Sequence, residues 1–194
     1  MFLTRTKPTI LPFQIADLKQ HCRVDADYTD DDVILKKYAW AAIRSGEFSS
    51  NRVWVDSEWT GEMDTFPRGG FEVPKSPCTD VAGITFVDSH GVGQVLAPTA
   101  YKFRRSSLEV GSGSVFARVD PVGAWPSGSD VVVSFKAGWP DGELPENLIG
   151  WIFVKVSSHY EQREDLASAT RKIAIAFPRH FVDASLDEYY IPRF

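Results

Sequence analysis

Apolar residues change their spacing twice along this sequence, and that change constrains the fold more than any other feature. Up to about Gly46 they recur at helical intervals, first Ile15, Leu18 and Cys22, then Ile34, Leu35, Tyr38, Ala39, Ala42 and Ile43. From about Asn51 to Ala137 they fall in short alternating or β-branched runs separated by Gly, Pro, Ser and Asp. From Pro145 the helical interval returns through Leu148, Ile149, Trp151, Ile152, Phe153, Val154 and Val156. Helix, strands, helix in that order predicts an α+β chain: a helical core with an inserted antiparallel β sandwich or barrel. The boundaries read as helical core over residues 1–50 and 141–176, β lobe over 51–140, and a tail over 177–194.

Local signals fill in this frame. Thr29 stands three residues before Asp32, the spacing of a capping box, and Asp30, Asp31 and Asp32 suit a first helical turn. Gly46 predicts the end of that helix. Val53-Trp54-Val55 and Trp59 read as a strand, followed by a Pro/Gly-rich loop from Phe66 to Pro77. Ile84 to Val87, the turn Asp88-Ser89-His90-Gly91 and Gln94 to Leu96 form a hairpin signal. Tyr101 to Phe103 and Val115 to Val119 alternate, and Val131 to Phe135 is the strongest strand. Pro145 fits the first position of the closing helix. That helix is apolar on more than one side, so it is buried in the monomer or faces a neighbouring subunit. Trp151, Ile152, Phe153, Tyr160 and Arg163 are its candidate contact residues.

Composition narrows the function. Hydrophobic residues are 43%, enough for an ordinary core, and thirteen Phe, six Trp and six Tyr supply large contact surfaces. The net charge of -5 argues against a nucleic-acid reader, which carries a basic patch. Two cysteines, Cys22 and Cys78, make no disulfide framework and read as reduced thiols. Met1 to Phe13 is broken by Pro8 and Pro12 and lacks the apolar run of a signal peptide, and no stretch has the length of a membrane span.

Catalytic patterns are missing. His21, His90, His159 and His180 lie far apart, so no metal is expected. Gly111-Ser112-Gly113-Ser114 lacks the nucleophile-elbow spacing and reads as a turn. There is no phosphate loop or dinucleotide fingerprint, hence no cofactor and no enzyme activity. One alternative stays open: Asp56, Glu58 and Glu62 beside Trp54 and Trp59 have the composition of a carbohydrate- or ligand-binding strand, although half-buried packing explains them too.

From Leu18-Lys19-Gln20-His21-Cys22-Arg23-Val24-Asp25 onward the chain resembles the phage head–tail connector (adaptor) proteins, the type with a helical core and an inserted β lobe. That family opens with a helix reading Leu-Lys-x-His-Leu-Arg-Val, then acidic residues and a second helix, matched here by Asp30 to Asp32 and the stripe from Ile34 to Ala42. Asn51-Arg52-Val53, Trp59, Phe66-Pro67, Val73-Pro74 and Ser76-Pro77 follow in the family's order. So do Val81, Ile84 to Val87, Tyr101 to Phe103, Trp125-Pro126 and Val131 to Trp139. Leu144-Pro145-Glu146 through His159-Tyr160-Glu161-Gln162-Arg163-Glu164 resembles its last signature. Cys22 replaces a usual leucine and Trp139 a usual tyrosine, both compatible with a buried apolar role.

The resemblance implies a structural part of a virion neck, assembled in the host cytoplasm. Such proteins form a ring, commonly of about twelve copies, below the portal protein. They join it to a stopper or tail-terminator protein, and double-stranded DNA passes through without sequence-specific binding. The free chain is then expected to be monomeric or weakly associated, with an acidic or neutral lumen once in a ring. The aromatic tail is the expected portal-docking element, through Phe177, Arg179, Phe181, Tyr189, Tyr190, Ile191, Arg193 and Phe194.

Overall fold

The run Val131 to Phe135 forms the centre of a sheet, as its alternation requires. In the computed structural model, which describes residues 1–105, 117–161 and 183–191, strand β8 spans Gly128–Ala137 and turns Val131, Val133, Phe135 and Ala137 inward. Before it in the chain come β1 (Phe2–Arg5), β2 (Ser57–Thr65), β3 (Phe71–Val73), β4 (Cys78–Asp88), β5 (Gly93–Val95), β6 (Tyr101–Arg104) and β7 (Ala117–Pro121). Helices α1 (Ile15–His21), α2 (Asp32–Ser50) and α3 (Glu146–Glu161) complete the regular elements.

The strands make two antiparallel sheets, one ordered β1-β2-β8-β4-β5 and the other β3-β7-β6. Val131, Val133 and Phe135 share a core with Phe71 and Val73 of β3 and Val119 of β7. Each fully buried side chain of this kind stabilises by about 1.5–3 kcal/mol. The α+β class is as the sequence predicts. The five-strand order ends at β1 and β5, so of sandwich and barrel the sandwich is formed.

By contact, the residues group into two compact units: Met1–Thr9 with Arg52–Asp141, and Ile10–Asn51 with Gly142–Phe194. The first residues therefore pair with the sheet, Phe2 opposite Glu62 and Arg5 opposite Trp59. Four residues at an edge carry too little alternation to separate them from the helical stretch that follows. β3 is likewise hidden in the Pro/Gly-rich loop, and its three residues pair with β7 through Phe71–Val119 and Val73–Ala117. Val53 to Val55 is buried but makes only an isolated bridge, Val55 to Trp139, so its strand is shorter than its composition predicts.

In the helical unit, Leu35, Ala39, Ala42 and Ile43 are the buried stripe of α2, and α2 packs against α3. Two local expectations fail. No side-chain cap forms at the start of α2; the Asp32 carboxylate instead meets Lys19 Nζ at 2.7 Å, and that ammonium also donates to the Ala26 carbonyl at 3.1 Å. An ion pair to a nearly buried lysine outweighs a cap hydrogen bond, so Asp32 turns toward α1. Gly46 does not end α2 either. It is buried inside the helix, which runs one turn further to Asn51, a residue in the left-handed conformation at φ 55°.

Candidate functional site

The closing helix and the segment after it hold most of the residues singled out by the sequence. In α3, Leu148, Trp151, Ile152 and Val156 are buried. Phe153 is half-buried, with its ring edge-on to Phe13 at 5.0 Å and tilted against His21 at 5.5 Å. The Tyr160 hydroxyl donates to Asp31 Oδ2 at 2.5 Å, linking the end of α3 to the start of α2. The stacked Tyr38 and His159 rings, 5.8 Å apart, lie in the same unit. All these contacts lie within the subunit. Arg163 lies outside the described residues.

Residues 183–191 bind back onto this unit. Asp183 Oδ1 accepts from Trp151 Nε1 at 3.2 Å and pairs with Lys155 Nζ at 2.9 Å, while that ammonium sits 5.1 Å from the Trp151 ring centre. Ala184–Tyr189 then makes a 3-10 turn with Leu186 and Tyr189 buried. Such residues, three apart, eclipse one another and face one side. The Tyr189 hydroxyl donates to Asn147 Oδ1 at 2.7 Å, the Ile191 amide donates to the Ser50 carbonyl at 3.0 Å, and Asn51 Nδ2 donates to the Ile191 carbonyl at 3.3 Å.

The docking candidates differ in exposure. Tyr189 and Ile191, at 2% and 4% exposed, are buried within their own subunit. Tyr190 points outward at 55% exposed. Phe177, Arg179, Phe181, Arg193 and Phe194 lie outside the described residues.

The ligand-binding alternative fails at Trp54, which is fully buried. Trp59 is flanked by Arg5 and Lys75, 5.3 and 5.0 Å from its ring centre, and stacks on Phe135. Its indole N–H donates to Ser57 Oγ at 3.1 Å. Sequence reasoning singled out these tryptophans, but it missed the stack of Phe66 on Trp125, 4.9 Å apart, beside a cleft of about 510 Å³ walled by Pro67, Pro121 and Pro126. The Trp125 N–H is used within the fold, donating to the Gly69 carbonyl at 2.7 Å.

Nucleophiles are quiet as well. Burial pushes the Cys78 thiol up to about 12, and burial followed by the Glu161 charge raises that of Cys22. Neither offers the thiolate that nucleophilic chemistry needs. Among the described residues no three His, Cys, Asp or Glu side chains gather as metal ligands, and no helix is long and apolar enough to cross a membrane.

The chain has the fold of a gene transfer agent neck chain. It superposes on a chain of the neck of an empty gene transfer agent particle, computed with sixfold symmetry, at TM-score 0.74 and 21% identity, covering 100% of this chain and 97% of that one. A chain of the native gene transfer agent virion gives the same values. A chain of the native particle's neck, computed with twelvefold symmetry, gives 0.69 at 20% identity with the same coverage. No family model and no curated protein matches the sequence.

Proposed function

We propose that this chain is a structural head–tail connector subunit in the neck of a tailed phage or phage-like particle, and not an enzyme. One observation carries the reading: the likeness to neck chains runs over the whole length of both partners, not over one lobe. A second supports it: the aromatic and ionic side chains of the closing helix are spent on building the subunit. In this reading the subunit forms a ring, as the symmetry of the similar particles favours. The ring sits on the portal protein, receives a stopper or tail-terminator protein below, and passes DNA through an acidic or neutral lumen without binding its sequence.

Portal docking falls to Tyr190, which is exposed, together with Phe177, Arg179, Phe181, Arg193 and Phe194 of the same sequence segment. Residues 183–191 anchor Tyr190 beside α3. The test is to mix the purified chain with portal rings and image the product by electron microscopy. A ring of this chain seated on the portal is the expected result, and a mixture that stays unbound sinks the reading. Tyr190→Ala should keep the melting temperature and weaken portal binding.

A further inference from the structure

The two sheets end differently. The edges of the three-stranded sheet carry exposed charges, Glu72 on β3 and Lys102 and Arg104 on β6. Charges in that position keep an open edge from recruiting another strand. The edges of the five-stranded sheet carry large exposed apolar side chains instead: Phe2 on β1 is 79% exposed and Val95 on β5 is 76% exposed.

Those two side chains share one face and one row. Phe2 stands opposite Glu62, Glu62 opposite Val132, Val132 opposite Thr85, and Thr85 opposite Val95. Every neighbouring pair in the sheet is antiparallel, so β1 and β5, its two ends, run in the same direction. The backbone alternates too. The Thr6 amide bonds to the Glu58 carbonyl and the Leu96 amide to the Ile84 carbonyl, both toward the sheet interior. Strand parity then points the peptide groups of Leu3, and of Gly93 and Val95, away from the sheet. On β5 the one long polar side chain, Gln94, is held back by a 2.9 Å hydrogen bond to Asp88.

We propose that these edges are the two halves of a contact between copies of this chain, in which β5 of one subunit lies parallel to β1 of the next and Val95 packs against Phe2. The partner is a second copy because both halves stand on one sheet, in one row and with one strand direction. This rests on the neck reading, which calls for copies around an axis. The contact is heterologous: each subunit gives one edge and receives the other, so the series closes only by rotation. Pairing of identical edges would instead stop at two.

The test uses two full-length variants in a Cys22→Ala background, Phe2→Cys and Val95→Cys, with buried Cys78 left in place. Both positions are largely exposed, so the fold should tolerate them. The proteins are concentrated separately and together under mild oxidation and run on non-reducing gels. The mixture should give a disulfide-linked dimer several-fold more abundant than in either variant alone. A protein carrying both cysteines should give a ladder. Dimers that form equally well in each variant alone mean identical edges meet, and overturn the proposal. So does a mixture that stays unlinked both when concentrated alone and with portal rings present. Neck assembly is scored separately: a portal-bound ring whose cysteines do not link leaves the neck reading standing and this one fallen. A linked ladder from a chain that never seats on a portal does the reverse.

Discussion

The β unit and the helical unit reach a buried core by different routes. In the β unit the core is built from strand alternation, with Val131, Val133 and Phe135 of β8 meeting Ile84 of β4 and Val119 of β7, all at 1% exposure or less. Side-chain hydrogen bonds join the sheet ladders there, as from Arg5 and Trp59 to Ser57 and from Trp125 to the Gly69 carbonyl. In the helical unit the apolar stripes of α2 and α3 are short, and a set of side-chain hydrogen bonds and ion pairs completes them: Lys19 to Asp32, Tyr160 to Asp31, Asp183 to Trp151 and Lys155, Tyr189 to Asn147. Period-2 packing sets which side chains of a strand face the core, whereas three helices with a returning segment need directional contacts to fix which faces meet.

Substitutions can break that contrast. The largest effect belongs to Phe135→Ala in the β unit, where a fully buried ring of the sandwich core is removed. A loss of about 3–5 kcal/mol in urea unfolding is expected. A loss below about 1 kcal/mol would mean that the sandwich does not depend on this packing. Next comes Lys19→Met in the helical unit. Its side chain is 5% exposed and that of Asp32 is 23% exposed, so the abandoned carboxylate is only partly rescued by water. About 3 kcal/mol is expected, and an unchanged unfolding midpoint would show that the pair is incidental.

Smaller changes sharpen the comparison. Tyr189→Phe removes only the hydroxyl bonded to Asn147 and should cost about 1 kcal/mol by denaturant titration. Hydrogen exchange should show the loss centred on the 183–191 segment; a uniform loss across the chain would contradict a local clasp. The smallest effect concerns the hairpin. The Asp88 carboxyl is held below its ordinary range by hydrogen bonds from the Val92 amide, the Gln94 side chain and the His90 amide. A lowered carboxyl value stabilises above the unfolded-state value and is lost as pH falls through the folded one. Wild type should therefore exceed Asp88→Asn in melting temperature near neutral pH, and the gap should close in acid. A gap independent of pH would rule out the charged form as its source.

Much of this was legible in the sequence where a period repeats often enough. The α2 stripe, the closing helix and the hairpin from Ile84 to Leu96 lie where their spacing puts them. β1 and β3 were not legible, because four and three residues cannot display a period and both depend on partners far along the chain. Gly46 misled because a glycine inside a helix and one just after it look alike until packing decides. The tail was legible only in part for a related reason: an aromatic segment signals burial, but not against what. The three-residue spacing of Leu186 and Tyr189 was the available hint that one face of it turns inward.

Gly138 has a consequence of another kind. Its φ is +119°, and a Cβ placed there would lie 2.4 Å from the carbonyl carbon and oxygen of Val55, so neither the backbone angle nor the space admits another residue. Its amide meanwhile donates to the Pro77 carbonyl at 2.9 Å. In a saturation library selected for soluble expression, this column should empty of every other letter, while exposed positions such as Ser134 on the preceding strand β8 stay crowded. Where overall identity has fallen to about a fifth, as with the neck chains, a position with one permitted letter is an anchor on which distant sequences can be aligned.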